Sequence, residues 1–565
     1  MRTLWHSRAS LASILLAVCL SAGCSSGSGN GSGEKSAAAE GDDAVAPVHV
    51  AFAGGGWRAH TAHAAWTMSL LEDGAYTLND VFDNVETLSS NSGGTWFLSM
   101  LSFTESFRAS IEMPGAFENY VSSGGYLGLQ RALFDDFQAV QADSNWCPFE
   151  QAEPVLYFYC RLASLAGDGA LVWTDIVDNV VFQPFGMNRA LAESPTLLSD
   201  SRQSWATDKS LLIAATMLTE RAILAETDVL LDKLYYDAVV RGDGPEQVSV
   251  TPVIFASVQD GKAPPPVLSA GGFDVTYKEA DLGDSAAAGF SNDALASDDV
   301  PVLLATAASS AAVGALASYS VLLDNGYDEL TWELAYELAD LAVPVRMTAP
   351  IEAGTPLPGS VHELASAYFA RLADGGYQDN SAVAQLVSFL QANGEATDFE
   401  IVAFDNIQAL YTPSPGAPAA GAEMGLDIAL LFGEGGENQV CAGTGVDRFC
   451  VPVPAQQVFT LTRAGVTTPA TWSWTSPGAA GPTLTYTQYQ VTTVDNPTFN
   501  LKAGSGGLLH VFTSVWPAAD TAPWNGASDF DAYEAMLEAI RAGLQADNKQ
   551  GLNYLRAALS GGANL

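Results

Sequence analysis

A short segment near residue 90 places a serine in a setting typical of a nucleophile. The run Ser90-Asn91-Ser92-Gly93-Gly94 fits S-x-S-x-G, a relaxed nucleophile elbow, in which small flanking residues permit a strained turn between strand and helix. Such a turn presents the serine at a helix N-terminus, where backbone N–H groups and the helix dipole favour negative charge. Serine- and glycine-rich turns are also common without any chemistry, so Ser92 is a candidate nucleophile that needs partners.

An earlier glycine run supplies the first possible partner. Gly54-Gly55-Gly56-Trp57-Arg58 follows an apolar run, and a loop without Cβ atoms at a helix start can aim consecutive N–H groups at one anionic oxygen. We therefore predict an oxyanion hole here. The competing interpretation, a nucleotide phosphate loop, lacks both the Lys-Ser/Thr ending and the G-x-G-x-x-G spacing.

A carboxylate far downstream could act as the base. Asp374-Gly375-Gly376, with Asn380 shortly after it, is by itself only a turn. In a desolvated pocket, however, a carboxylate within hydrogen-bond reach of a serine hydroxyl can take its proton without any histidine. The segment before it, from Leu364 to Leu372, is predicted as a helix.

Two strand-turn-helix units must position these motifs. Val48 to Ala53 predicts a strand and Arg58 to Glu72 a helix; Asn84 to Ser89 predicts a second strand and Gly93 to Leu101 a second helix. This pattern predicts an α/β protein with three α/β/α layers around a mostly parallel central sheet. Further core elements are expected at 211–216, 248–258, 302–317, 483–493 and 508–515, with an amphipathic, core-packed helix at 530–544.

Together and in this order, the three motifs resemble the patatin-like phospholipase superfamily, most closely its branch of cytosolic phospholipases A and fungal phospholipases B. The likeness runs over about 48–515 and includes Thr95-Trp96 and the Ala-Ser-Ser-Ala segment at 308–311. It implies a serine acyl hydrolase that needs no cofactor and no metal. The implied roles are Ser92 as nucleophile, Asp374 as base, Gly55 and Gly56 as oxyanion donors, and Arg58 as a cation for phosphate or developing charge.

The same resemblance suggests a division of the chain. A catalytic domain is expected over 47–520, with insertions at about 106–210 and 411–476, followed by C-terminal helices over 521–565 packed on the core. The first insertion would suit a cap over the site.

Histidines offer an alternative chemistry. His510 follows Asp374 in the chain order of α/β hydrolases and could complete a Ser-His-Asp triad, although its place within an apolar strand favours a packed side chain. His60 and His63, behind the glycine loop, are expected to be structural, since no carboxylate or cysteine cluster accompanies them. A catalytically silent lipoprotein that binds lipid or a protein partner is the remaining alternative.

The first residues predict export from a bacterial cell. Basic residues, an apolar run over 11–20 and small residues precede Cys24, as in a lipoprotein signal of residues 1–23 whose cysteine receives the lipid. An ordinary cleaved signal with an incidental thiol is the alternative. A Gly/Ser-rich tether follows over 24–46, so an anchored protein of the cell envelope, at the outer membrane or cell surface, is expected.

Cysteine usage and charge agree with that location. The short separations favour disulfides Cys147 with Cys160 and Cys441 with Cys450, the alternative being unpaired buried thiols. The formal net charge of −41 disfavours nucleic acid as a partner. The expected partners are a lipid or phospholipid substrate and a membrane reached through the anchor.

Overall fold

The protein was analysed as a computed structural model. It describes residues 47–141, 173–186, 196–220, 248–263, 275–277, 289–290, 300–312, 343–347, 369–411, 424–434, 439–442, 449–452, 457–461, 471–477, 482–516 and 527–561. The predicted signal and tether, Cys24, Cys147 and Cys160 lie outside these ranges.

Fifteen strands are found in the described ranges. They are β1 (Val48–Phe52), β2 (Val85–Ser90), β3 (Ser210–Glu220), β4 (Val248–Ser257), β5 (Val275–Tyr277), β6 (Gly289–Phe290), β7 (Val343–Met347), β8 (Phe369–Asp374), β9 (Phe399–Ile407), β10 (Gln439–Ala442), β11 (Phe449–Pro452), β12 (Phe459–Leu461), β13 (Thr471–Thr475), β14 (Thr483–Thr493) and β15 (Gly506–Val515).

Helices alternate with the strands. They are α1 (Gly56–Leu71), α2 (Leu78–Val81), α3 (Ser92–Phe103), α4 (Glu105–Glu112), α5 (Ala116–Val121), α6 (Tyr126–Gln141), α7 (Trp173–Val177), α8 (Val302–Ser310), α9 (Gly376–Asp379), α10 (Ala384–Ala392), α11 (Leu426–Leu431) and α12 (Ala527–Leu559), with short turns at Asp178–Phe182, Gln183–Phe185, Ser204–Ala206 and Pro497–Phe499. The α12 segment is two helices joined by a non-helical break at 546–549.

One large sheet organises the molecule. Its strand order is β12-β14-β15-β9-β1-β2-β3-β8-β7-β5-β6, with β13 paired to β14 and β4 to β3. The central strands β15, β9, β1, β2 and β3 pair in parallel, and the strands outside them pair antiparallel. The predicted mixed α/β class with a parallel central sheet is confirmed.

Side chains alternate between the two faces of this sheet. In β1, Val50 and Phe52 belong to a core shared with α1, α3, α8 and α12, whereas Ala51 belongs to a second core shared with α10 and α11. Because the side-chain period of a strand is two residues, β1, β3, β9 and β15 each contribute to both cores. The result is the three-layer α/β/α arrangement.

The parallel pairing brings the glycine loop and the serine elbow together. Phe52 and Ser90, the last residues of β1 and β2, are register partners, so the glycine loop and the elbow leave the sheet at the same edge. Strand β3 lies between β2 and β8. Its Ile213 pairs with Ser90 on one side, and its Ala215 pairs with Asp374 on the other. The end of β8 therefore points toward the elbow.

The prediction of a helix before Asp374 was wrong over 369–372. Those residues belong to β8, which pairs antiparallel with both β3 and β7. Two neighbouring strands supply ladder hydrogen bonds to this segment, and tertiary pairing of that kind overrides local helix preference. The remainder of the predicted helix, 364–368, lies outside the described ranges.

The C-terminal helix covers the first core. Its residues Phe530, Tyr533, Met536, Leu537, Ile540 and Leu544 are all fully buried. This is the helical spacing expected from the sequence, and the apolar face packs against α1. Among the helices that the structure describes, none combines the length and the apolar character needed to span a bilayer.

Candidate active site

The elbow holds Ser92 in a strained conformation. Its φ of 48° lies in the left-handed region, which costs a non-glycine residue of order 1–3 kcal/mol. Ser92 is the first residue of α3, and Asn91 before it is extended. A Cβ on Gly93 would lie 2.2 Å from the Gly56 carbonyl oxygen, so only glycine lets the elbow approach the glycine loop this closely. The elbow and the glycine loop are therefore packed directly against each other.

A chain of hydroxyl groups supports the elbow from below. The Ser92 N–H donates to Ser309 Oγ at 3.0 Å, and Ser309 Oγ lies 2.8 Å from Thr95 Oγ1. Thr95 donates onward to Ser90 Oγ at 3.0 Å. Ser309 belongs to the Ala-Ser-Ser-Ala segment and lies in the last turn of α8, so this segment is a helix end that fixes the backbone of Ser92.

The structure brings Ser92 and Asp374 into direct contact. The Ser92 hydroxyl donates to Asp374 Oδ2 at 2.6 Å, and the Gly376 N–H donates to Asp374 Oδ1 at 2.7 Å. Both side chains are more than nine-tenths buried. Burial raises the pKa of Asp374 to about 6, against the hydrogen bonds from Ser92, Gly376 and Asn91, which lower it. The carboxylate is ionised at neutral pH and is basic enough to accept a proton.

The glycine loop lies beside Ser92 and Asp374, and two of its N–H groups have no protein acceptor among the described residues. The Gly54 N–H donates to the Asn380 carbonyl at 2.9 Å, and Gly55 and Gly56 have φ values of 127° and 56°. Within the described part of the chain, neither the Gly55 nor the Gly56 N–H donates to a protein acceptor, and both residues are half-buried. Two N–H groups next to the serine can therefore bind a developing oxyanion.

A buried charged group borders the loop. Arg58 is 4% exposed, its Nε and Nη1 have no hydrogen-bond partner among the described residues, and its Nη2 lies 3.5 Å from where a Cβ on Gly55 would stand. Asp405, at the end of β9, and Asp427, in the first turn of α11, interact electrostatically with Arg58. Burial, the largest effect, and the mutual repulsion of the two carboxyls raise the pKa of Asp405. The Asp405 carboxyl therefore keeps its proton at pH values at which an isolated carboxyl has already lost it.

Asn380 connects the two halves of the site. Its Nδ2 donates to Asp427 Oδ2 at 2.6 Å, and its Oδ1 accepts from Asn91 Nδ2 at 3.1 Å. Together with the bond from the Gly54 N–H to its backbone carbonyl, these contacts tie the glycine loop, the elbow and Asp427 to one residue. The side-chain amide orientation is fixed because only its nitrogen can donate to the Asp427 carboxylate.

In the described part of the structure, His60, His63 and His510 do not contact Ser92 or Asp374. His510 is fully buried in β15 and its Nδ1 lies 3.0 Å from the Tyr486 hydroxyl. Strands β9 and β1 separate β15 from β2, so the structure does not bring His510 to Ser92. His60 and His63 are fully buried in α1, in agreement with the predicted structural role.

The second cysteine pair is placed by its backbone. Cys441 and Cys450 are register partners in the antiparallel pair of β10 and β11, a separation compatible with a disulfide. Both predicted disulfides stay predictions. In the described ranges no three His, Cys, Asp or Glu residues are grouped so as to hold a metal ion.

Sequence reasoning did not single out Asp405, Asp427, Asn91 or the support from Ser309. Asp405 had a usable signal, because it follows the apolar run of β9 and ligands of α/β sheets bind at the carboxyl ends of parallel strands. Asp427 lies in a short helix after a long connection and carries no comparable signal.

Comparison with known proteins gives little beyond this geometry. The sequence matches no protein-family model and no curated protein. Among solved structures, human GIVD cytosolic phospholipase A2 aligns with a TM-score of 0.33 and 14% sequence identity, over 92% of this chain. The aligned region spans 63% of the length of that protein.

Proposed function

We propose that this protein is a serine acyl hydrolase that cleaves ester bonds of lipids through Ser92 and Asp374. The observation that carries the proposal is the 2.6 Å hydrogen bond from a strained serine, at a helix N-terminus, to a buried carboxylate. Neutral serine is a weak nucleophile, and an adjacent base is the usual means of activation. The arrangement provides that base at a buried position.

Each step of the reaction uses a group in place. Asp374 takes the hydroxyl proton as Ser92 Oγ attacks the ester carbonyl, and the resulting oxyanion is stabilised by the Gly55 and Gly56 N–H groups. Collapse expels the alcohol, which receives the proton from Asp374 and leaves the acyl group on Ser92. A water molecule then attacks the acyl-enzyme, with Asp374 again as base, and the fatty acid is released.

The charged neighbour of the glycine loop supports a phosphate-bearing substrate. Arg58 keeps two buried guanidinium nitrogens without a partner among the described residues, and a guanidinium is well suited to phosphate oxygens. A phospholipid or lysophospholipid would place its phosphate close to the scissile ester. We place the enzyme at a bacterial envelope membrane, held there by a lipid on Cys24.

Fatty-acid release tests the proposal. Mixed micelles of phospholipid and lysophospholipid are incubated with wild type, Ser92→Ala and Asp374→Asn, each checked for folding by circular dichroism. We expect wild type to release fatty acid and Ser92→Ala to lose about 10⁴- to 10⁶-fold in kcat, as other serine hydrolases do on losing the nucleophile.

A matched control separates catalysis from folding. Ser310 lies one residue after Ser309 and is equally buried, and among the described residues its hydroxyl bonds only within α8, to the carbonyls of Thr306 and Ala307. Ser310→Ala should keep its activity. Full activity in Ser92→Ala would refute the proposal. An inactive, folded wild type would favour a lipid-binding lipoprotein without catalysis.

A further inference from the structure

His63 contacts the start of the glycine loop. It lies in α1, fully buried, and its Nε2 is 2.9 Å from the carbonyl oxygen of Ala53. Ala53 directly precedes Gly54-Gly55-Gly56, so this contact joins the helix behind the loop to the first peptide of the loop.

The bond has a defined direction. A carbonyl oxygen can only accept, so His63 Nε2 must carry the proton and donate it. Burial lowers the pKa of His63 to about 4, although the bond to Ala53 opposes that shift. The ring is therefore neutral at physiological pH and serves as a fixed donor rather than as a proton carrier.

The peptide between Ala53 and Gly54 is held at both ends. Its carbonyl accepts from His63, and its N–H donates to the Asn380 carbonyl at 2.9 Å. The next two residues are glycines with φ values of 127° and 56°, and glycine has the largest conformational freedom to lose. Without both bonds the peptide plane could rotate, and the N–H groups of Gly55 and Gly56 would no longer point to one position.

The ring itself has little room to move. Phe52 lies edge-on to His63 with ring centroids 5.2 Å apart, and Phe97 and Phe404 lie at 5.9 and 6.0 Å. Asn406 Nδ2 lies 3.4 Å from the same ring nitrogen, and because both nitrogens carry protons this is a packing contact and not a hydrogen bond. Ser514 donates to Asn406 Oδ1 at 2.8 Å and holds that side chain in place. Packing thus fixes the donor, as a precise oxyanion hole requires.

We infer that His63 is a positioning residue of the oxyanion hole, which fixes the Ala53–Gly54 peptide so that the following N–H groups meet the reacting oxygen. The inference rests on the proposed function. It assigns a role in the chemistry to a residue that does not touch the substrate.

His60 supplies the matched control. It lies one turn earlier in α1 and is equally buried, but its Nδ1 contacts the Tyr120 hydroxyl at 2.9 Å and its Nε2 contacts Met100 Sδ at 3.4 Å. Replacing either histidine by leucine removes a buried polar contact of α1. Only His63→Leu releases the loop.

The experiment compares His63→Leu, His63→Gln and His60→Leu. For His63→Leu we expect kcat to fall about 10- to 100-fold with KM within about threefold of wild type, the size of loss that a misplacement of about 1 Å causes. His63→Gln, whose amide nitrogen can replace Nε2 as the donor, should recover most of kcat. His60→Leu should lower thermal stability to a similar degree and leave kcat unchanged.

A second readout does not depend on turnover. Hydrogen exchange of the peptide that covers residues 52–57 should be at least tenfold faster in His63→Leu than in wild type or His60→Leu. If His63→Leu does not fold, His63→Asn takes its place, because its amide is too short to reach Ala53.

The outcomes separate this inference from the proposed function. Active wild type with equal kcat and equal exchange in the two leucine variants would overturn the role of His63 and leave the hydrolase intact. Inactive wild type would refute the hydrolase, and the exchange rates alone would then decide whether His63 holds the loop.

Discussion

The two halves of the site differ in how their polar atoms are satisfied. Around the elbow, each oxygen of Asp374 accepts a hydrogen bond, and the Ser92 N–H is held by Ser309. Around Arg58, two guanidinium nitrogens are buried without a hydrogen-bond partner among the described residues. Leaving a buried polar group unpaired costs about 1–3 kcal/mol, more for a charge, so this difference is large.

The difference suggests that the two halves of the site have different roles. Fully bonded groups have one geometry, which a proton transfer between Ser92 and Asp374 requires. Unpaired groups lower the stability of the free protein but can form strong, charge-assisted bonds with a ligand. In the function proposed above, the elbow half carries out the chemistry and the Arg58 half binds the substrate.

Among the three substitutions that follow, the largest effect is expected at Gly93, where the elbow contacts the glycine loop. In Gly93→Ala the new Cβ would lie 2.2 Å from the Gly56 carbonyl oxygen and 2.6 Å from its nitrogen, so the elbow and the loop must separate. We expect kcat to fall about 10²- to 10³-fold, comparable to the loss of an oxyanion donor. The measurement is ester hydrolysis at saturating substrate. Gly124→Ala, at a glycine with open space around it and without a positive φ, controls for a general effect of the substitution, and equal activities would refute the close contact.

A smaller and selective effect is expected at Arg58. Arg58→Gln removes the cation between the glycine loop and the acidic pair, so a phosphate-bearing substrate should lose about 1.5–3 kcal/mol of binding, or about 10- to 150-fold in kcat/KM. A neutral ester without phosphate should change much less. Arg131→Gln, which removes only partly exposed ion pairs to Asp531 and Glu534, is the control. An equal loss on both substrates would contradict the recognition role.

A third expected effect is a gain in stability. Folding raises the pKa of Asp374 from 3.8 to about 6, so ionising this carboxyl costs the folded protein free energy, and the full cost is present above about pH 6. Asp374→Asn should therefore raise the free energy of unfolding at pH 8 by up to about 3 kcal/mol. The gain should shrink as the pH falls through 6 and vanish below about pH 4, where both states bind the proton. Denaturant unfolding at pH 4 and pH 8 measures it, and a destabilised variant at pH 8 would contradict the burial argument.

The sequence predicted the elements near the site because its signals there are local. Glycine runs next to apolar segments marked β1, α1, β2 and α3 to within two residues at most ends, and the order of these elements required a parallel sheet. Tertiary pairing decided the segment before Asp374, where a local helix preference gave the wrong element. The contact between Ser92 and Asp374 joins residues 282 positions apart, and only the resemblance in motif order pointed to it.

The Arg58 half could not be predicted in the same way. Asp405 and Asp427 have no motif around them, and their proximity to Arg58 depends on how β9 and α11 pack against the glycine loop. The function of His63 was missed for a related reason, because a buried histidine within a helix usually fills the core. Its significance comes from the identity of the carbonyl that it contacts.

If Asp374 is the base for Ser92, covalent labelling of Ser92 must depend on the ionisation of Asp374. The pH dependence of the labelling rate measures this. Wild type is treated with a fluorophosphonate between pH 4.5 and 8, and the rate of adduct formation at Ser92 is followed by mass spectrometry. Because the attack requires ionised Asp374, we expect the rate to be constant above pH 7, half-maximal near pH 6 and about tenfold lower for each further pH unit. A labelling rate at Ser92 that does not change between pH 5 and pH 8 would contradict the account.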